Sequence, residues 1–335
     1  MIKVGVIGLG KMGVSHLSII NANPHVKVVG LADTSKFVLK SFSKLTQFNV
    51  FDNYKEMIEK TNPDAVIVST PSSLHYEIAK YIVEKRINIF IEKPLSLSYE
   101  ESKELDELTH GKLVAQVGYH NRFINTFIFA KEIIKEECLG RIYNFSAQAH
   151  GPAITKPSNS WRTSGNIGGG CLYDYGSHVI NLLSFILGIP DNVDYAVLNK
   201  IHSKHVDDIV AAQISYNDNK KGYLELNWSD ESTRRMTTEI TIWGTGGKVY
   251  VNSQEVHIFL QEDCKSLKLA KGWTIKYLID FQNNVKFFVR GEEYSAQLEY
   301  FVEKIKHNDF ENINSFSEAA ATDFIIDKIK SFKEV

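Results

Sequence analysis

A chain of 335 residues is too long for one average hydrophobic core and divides most naturally into two domains, each with an interior of its own. Hydrophobic residues at 43% and charged residues at 23% are ordinary globular values, so neither disorder nor insertion into a bilayer is implied. A formal net charge of −2 gives no general attraction to nucleic acid or to an acidic membrane, which leaves a small molecule as the expected partner.

The first residues run directly into a strand pattern, Lys3 to Ile7, and no apolar stretch is long enough to span a bilayer. The expectation is a cytoplasmic protein without a signal peptide. The strand ends in Gly8-Leu9-Gly10-Lys11-Met12-Gly13, and Val14 to Ala22 then takes up helical spacing. Between a strand and a helix, such glycines let the backbone approach a pyrophosphate while the helix N-terminus faces its charge. A second strand, Val26 to Ala32, ends at Asp33, 20 residues beyond Gly13. A carboxylate there accepts hydrogen bonds from adenosine ribose hydroxyls and repels a 2′-phosphate, which favours NAD over NADP, although Thr34, Ser35 and Lys36 could hold a phosphate if Asp33 turned away. The alternative reading is a tight turn without ligand and an acid that merely caps a helix.

The alternation continues with a helix from Tyr54 to Thr61, a strand from Ala65 to Ser69, a turn at Thr70-Pro71-Ser72-Ser73 and a helix from Leu74 to Glu84. Strands at Ile87 to Ile91 and Leu113 to Val117 flank a charged helix, Tyr99 to Thr109, opened by Ser98. Apolar strands alternating with helices predict a doubly wound parallel sheet with ligands at the carboxyl ends of its strands. Thr70, Pro71, Glu92, Lys93, Tyr119, Asn121 and Arg122 fall at those ends. Lys93, just past a buried strand and pinned between Glu92 and Pro94, is placed to hydrogen-bond a substrate hydroxyl and stabilise an alkoxide; a solvated loop lysine is the alternative.

After Tyr119, Thr126 to Glu137 reads as an amphipathic helix and Ile142 to Ala149 as a strand. His150 to Gly170 is a long loop, in which Trp161 and Arg162 could stack on and clamp a sugar, or could plug the core beside a surface arginine. The segment Gly168-Gly169-Gly170-Cys171-Leu172-Tyr173-Asp174-Tyr175-Gly176-Ser177-His178 follows. Asp174 and His178 are four apart, so a helix would place them on one face as an acid/base pair, with the buried run Val179 to Leu187 behind them. An ordinary helix start has the same look. Strands follow at Val193 to Lys200, Ile209 to Tyr216, Gly222 to Asn227, Thr238 to Trp243, Val249 to Val251 and Val256 to Leu260, and helices at Glu292 to Lys306 and Phe316 to Phe332 close the chain. Strands without intervening helices predict a mostly antiparallel sheet. Leu224, Leu226 and Trp228 are expected to form an association surface on it for a homodimer or homotetramer. His202 and His205 near Asp207 and Asp208 read as a solvated turn, and no metal is expected. Cys138, Cys171 and Cys264 are odd in number and far apart, so they read as free thiols in a reducing compartment, Cys171 as packing.

The glycine loop, the Thr70 to His75 turn, Glu92-Lys93-Pro94 and Gly168 to His178 occur in the order found in the glucose-fructose oxidoreductase / inositol dehydrogenase / rhizopine-catabolism (Gfo/Idh/MocA) family, and nearly the whole chain resembles it. The resemblance implies an α/β protein with a Rossmann domain, residues 1–120, and a domain of residues 121–335 built on a large, mostly antiparallel open sheet. It implies hydride exchange between a nicotinamide cofactor, NAD ahead of NADP, and a secondary hydroxyl or ketone of a sugar, a sugar derivative, nucleotide- or phosphate-linked ones included, or a cyclitol. Lys93, Asp174 and His178 match the family's catalytic set. Cofactor contacts are then expected from Gly8, Gly10, Lys11, Met12, Gly13, Asp33, Thr70, Pro71, His75, Glu92 and Lys93. Substrate contacts are expected from Lys93, Tyr119, Asn121, Arg122, Trp161, Arg162, Asp174, His178 and Asn181. Many members carry Asp where this chain has Asn181, an amide that can hold a hydroxyl without adding charge. A non-enzymatic NAD-sensing regulator and a glycosidase working through transient oxidation are the rival readings on the same scaffold.

Overall fold

The computed structural model describes residues 1–157, 161–165, 168–281 and 291–332, and these form two compact units. The first comprises Met1–His120 together with the described part of the segment that ends at Ala320. Its elements in order are β1 (Ile2–Ile7), α1 (Lys11–Asn21), β2 (Val26–Ala32), α2 (Lys36–Leu45), β3 (Val50–Phe51) and α3 (Tyr54–Thr61), followed by β4 (Ala65–Val68), α4 (His75–Glu84), β5 (Asn88–Ile91), α5 (Tyr99–Thr109) and β6 (Ala115–Val117). Short polar residues start three of these helices, α2, α3 and α5. Ser35 accepts from Val38 N–H, Asn53 from Lys55 and Glu56 N–H, and Ser98 from Glu101 N–H, each satisfying donors the helix itself cannot.

Among the described residues the strands of this unit pair in the order β3-β2-β1-β4-β5-β6, all parallel. β4 reads Ala-Val-Ile-Val and is buried at every position, as a central strand covered on both faces must be. The order reverses direction beside β1, so the loop after β1 opens at the topological switch point where such sheets take their ligands.

The second unit holds the described residues from Asn121 to Phe281 and those from Ala321 onward. It contains α6 (Asn125–Lys135), β7 (Ile142–His150), α7 (Ser177–Leu187), β8 (Asn192–Asn199), β9 (Ile209–Ser215), β10 (Lys221–Asn227), β11 (Thr237–Gly244), β12 (Gly247–Asn252), β13 (Glu255–Leu260) and β14 (Gly272–Tyr277). Their order is β14-β13-β12-β11-β7-β10-β9-β8, antiparallel except for the β7–β10 pair. Strict alternation puts Ala147, Ala149, Leu224, Leu226, Ile240, Ile242, Val249 and Val251 on the buried face, which α6 and α7 cover. Leu224, Leu226 and Trp228 are therefore core residues, at most 1% exposed, and not the association surface expected of them. The outward face carries their strand neighbours. One registered row crosses it as Tyr195, Gln213, Tyr223, Ser146, Thr241, Tyr250, His257 and Ile275.

Two helices close the chain, α8 (Glu292–His307) and α9 (Phe316–Ser331). The expectation that everything after residue 120 belongs to the second domain is corrected here. Leu298, Phe301 and Val302 of α8 pack into the core of the first unit with Leu17, Ile20 and Phe90, and Phe316 and Ala319 join its other core cluster. The cysteine reading is corrected too. Cys138, just beyond α6, and Cys264, in the β13–β14 connection, are joined as a disulfide across 126 residues, because α6 lies against β13. Cys171 alone is free among the described residues. Among the described residues, no helix is long and apolar enough to cross a membrane.

Candidate active site

The glycine loop is built by close contacts. A Cβ on Gly13 would lie 1.8 Å from the Gly8 carbonyl oxygen, and one on Gly8, at φ +86°, would lie 2.6 Å from that of Ser69. No side chain fits at either place. Above Gly10 the space is open, with nothing within 4 Å of an added Cβ. α1 begins there without a side-chain cap and without an acid in its first turn, so its N–H groups and dipole face that space uncompensated. Asp33 braces the loop: its Oδ2 accepts from Leu9 N–H at 2.7 Å and its Oδ1 from Ser35 N–H at 2.7 Å. Ser35, not Asp33, caps α2. The Ser69 and Thr70 hydroxyl oxygens, shielded from solvent at the end of β4, have no hydrogen-bond partner among the described residues. An anion-seeking helix end, a carboxylate with lone pairs to share and two waiting hydroxyls fit a dinucleotide, with Gly8 to Gly13 on the pyrophosphate and Asp33 on a ribose.

The Lys93 turn is held from two sides. Glu92 Oε1 lies 2.6 Å from His16 Nε2 of α1, and Glu92 Oε2 accepts from Lys93 N–H at 3.3 Å. Burial pushes the Glu92 carboxyl up, but the His16 hydrogen bond and the charges of His16, Lys93 and His120 outweigh it and hold it below its ordinary range. On the other side His75 Nδ1 lies 2.6 Å from the Pro94 carbonyl oxygen and Nε2 3.0 Å from that of Thr70. His75, expected on the cofactor surface, is 1% exposed and instead ties the Thr70 and Pro94 loops together. Tyr119 is also withdrawn, a 1% exposed member of the core.

In the second unit, Leu172–Gly176 is a π-helical turn leading into α7, whose every residue is buried. A π-turn adds a residue to the helical turn and is frequent at functional sites; nothing in the spacing announces it. Asp174 projects from it, its Oδ2 accepting from Arg162 Nε at 3.2 Å, with His178 one turn on at 7% exposure. Arg162 thus faces the candidate acid directly. Trp161 heads the short turn Trp161–Thr163, and its side chain lies outside the described residues. Burial, reinforced by Asp174, pushes the neighbouring Tyr175 phenol up, and burial raises the Cys171 thiol well above its range, consistent with a packing role.

Arg122 and Asn181 were expected to meet substrate and instead meet each other. The guanidinium, 2% exposed, donates from Nε to Asn181 Oδ1 at 2.6 Å and from a terminal nitrogen to the Asn181 carbonyl at 2.9 Å, and Asn181 Nδ2 donates to Thr322 Oγ1 at 3.1 Å. Asn121 is likewise buried, at 7%. Both are framework for α7, not a substrate surface.

Behind the π-turn lie two acids, Asp207, half-buried, and Asp208. Asp207 Oδ2 accepts from Leu172 N–H at 2.6 Å, and its carbonyl from Cys171 N–H at 2.9 Å. Burial pushes its carboxyl up. Asp208, fully buried, accepts from the N–H groups of Ile201, His202 and Ser203, from the Ser203 hydroxyl at 2.5 Å and from Trp228 Nε1 at 2.7 Å. Burial raises it, yet those donors prevail and hold it low. The expected solvated turn is an organised loop around a buried anion. Among the described residues no cluster could hold a metal ion.

Comparison with known proteins agrees with this architecture. A family model described as "Oxidoreductase family, NAD-binding Rossmann fold" matches residues 2–119, and one described as "GFO/IDH/MocA C-terminal domain" matches residues 127–250. An uncharacterized oxidoreductase of Schizosaccharomyces pombe is 30% identical over 61% of this chain, and the match spans 55% of that protein's length. An NAD(+)-dependent scyllo-inositol 2-dehydrogenase of Bacillus subtilis is 26% identical over 91% of this chain and 86% of its own. Levoglucosan dehydrogenase, solved with NADH and levoglucosan, superposes with a TM-score of 0.85 at 24% identity, covering 98% of this chain and 96% of that one.

Proposed function

The chain belongs to the Gfo/Idh/MocA oxidoreductase family, and from that premise we propose that it is an NAD-dependent dehydrogenase acting on a secondary hydroxyl of a sugar, sugar derivative or cyclitol. The observation that carries the reading is a dinucleotide-fitted glycine loop in a chain that also presents Asp174 on a π-turn and His178 one turn further on, in the fully buried helix that follows. Bound NAD supplies the hydride acceptor. His178 takes the hydroxyl proton, Lys93 donates a hydrogen bond to the reacting oxygen, and Asp174 orients the imidazole and stabilises it when charged. Arg162 at 3.2 Å sets how much of the Asp174 charge is left for that task. Asp33 favours NAD over NADP, because a 2′-phosphate would face its carboxylate. The similarity to proteins named for scyllo-inositol and levoglucosan supports a polyol or anhydrosugar as substrate. The cytoplasm, where NAD is recycled, is the compartment that goes with this reading. A second copy of the chain covers the outward face of the large sheet.

The test is a screen of inositols, aldoses, anhydrosugars, sugar phosphates and nucleotide sugars with NAD and NADP, read as reduced-nicotinamide absorbance. One class should give net reduction with NAD, and Lys93→Met should lower turnover on it by about 10²-fold or more with little change in NAD affinity. Binding of NAD without reduction by any polyol would favour a sensor, and substrate loss without net reduced cofactor would favour transient oxidation.

A further inference from the structure

His16 is fully buried in α1, and the mechanism above does not use it. Its ring touches two residues on one face of the β5 strand path: Phe90, edge-on at 5.1 Å between centroids, and Glu92, at 2.6 Å from Nε2 to Oε1. Its other nitrogen, Nδ1, has no partner among the described residues, so all of its polar contact goes to Glu92. The Glu92 carboxylate, 15% exposed, is confined in turn. A Cβ on Gly118 would lie 3.2 Å from Glu92 Oε2, so a side chain there would crowd that oxygen. His120 adds positive charge beside it and stacks on Tyr294 of α8 at 4.7 Å. The charged or titratable groups facing Glu92 are thus His16 from α1, His120 from the turn after β6, and Lys93 and His75 from the loops at the strand ends.

We propose that His16 and Glu92 are a positioning pair that ties α1, whose amino end seats the coenzyme, to the turn that presents Lys93. The inference rests on the catalytic reading of Lys93. α1 begins at the glycine loop, and His16 lies one turn and a half along it, within the same rigid helix. A carboxylate left in a largely enclosed site without its hydrogen-bonded partner is costly, so Glu92 follows His16, and the backbone of Lys93, bonded to Glu92 Oε2, follows Glu92. The pair also keeps an anion beside the lysine.

The test uses the full chain with the substrate identified by the screen, comparing His16→Leu, His16→Gln, Glu92→Gln, the double variant His16→Leu/Glu92→Leu, and Lys93→Met as reference. Turnover against pH and NAD affinity by calorimetry are the readouts. The pair predicts about a tenfold or greater loss of turnover in His16→Leu with NAD affinity changed less than about threefold, and partial recovery in His16→Gln, which keeps a donor. Glu92→Gln, which keeps an oxygen to accept from the Lys93 N–H, should lose less turnover than His16→Leu. The double variant leaves no unpaired charge, so it stays folded, and it should remain as slow as His16→Leu. Wild-type turnover and pH profile in a folded double variant overturn the proposal while the Lys93 assignment stands. Equal losses of turnover and NAD affinity, with no recovery in His16→Gln, overturn it in favour of a purely structural His16. Retained turnover in Lys93→Met overturns the catalytic reading itself and the proposal with it.

Discussion

His75 shows how one side chain can make stability depend on pH. Burial holds its pKa below the ordinary 6.5, prevailing over the two carbonyls that face it. The unfolded chain takes up a proton near 6.5 and the folded chain does not, so stability is full above that value and falls as pH drops below it. Thermal melts of the wild type should therefore decline more steeply between about pH 7 and pH 5 than those of His75→Gln, and parallel curves would remove His75 from that role. The same scale shows what a sequence can and cannot disclose. Gly8 and Gly13 are legible because their spacing is itself the physical requirement. Tyr119, Arg122 and Asn181 are misread because a polar side chain near a strand or helix end looks identical whether it faces a ligand or a buried partner such as Thr322.

At the level of elements, periodicity finds the strands and helices well, to within a few residues, from β1 to α9. It misses α2 and β3, between Asp33 and Tyr54, and β14, whose Trp273, Ile275 and Tyr277 alternate with Gly272, Thr274 and Lys276 behind a polar loop. It also misses the π-turn, since an inserted helical residue leaves no trace in composition. The loop before β9 is the element whose organisation is least visible beforehand, because five donors converge on one acid only after folding. Replacing that acid, Asp208→Ala, orphans them in a buried place and should lower unfolding free energy by about 2–4 kcal/mol in chemical denaturation, with Asp208→Asn costing less because an acceptor remains. Equal stability of Asp208→Ala and wild type would show that water replaces the carboxylate there.

For the whole molecule, the fold class and both sheets follow from the order of elements, whereas the parallel β7–β10 pair and the partition of the chain into units depend on contacts distant in sequence. The outward sheet face bears on assembly. Tyr195 at 46%, Tyr223 at 57%, Trp273 at 64%, Ile275 at 47% and Tyr277 at 51% exposure put large apolar side chains on it in the open. Light scattering at micromolar concentration should report a dimer or tetramer, and Tyr223→Glu with Ile275→Glu should shift it toward monomer; a monomeric wild type would refute self-association. The composition of the first unit has one more consequence, for the order of synthesis. Residues 1–120 leave the ribosome first, yet the apolar surface around Leu17, Ile20 and Phe90 is not closed until Leu298, Phe301 and Val302 arrive, after every strand of the other sheet. The unit begun first thus stays open until α8 is made, and through most of translation the growing chain carries an open hydrophobic face that chaperones or its own later segments must shield.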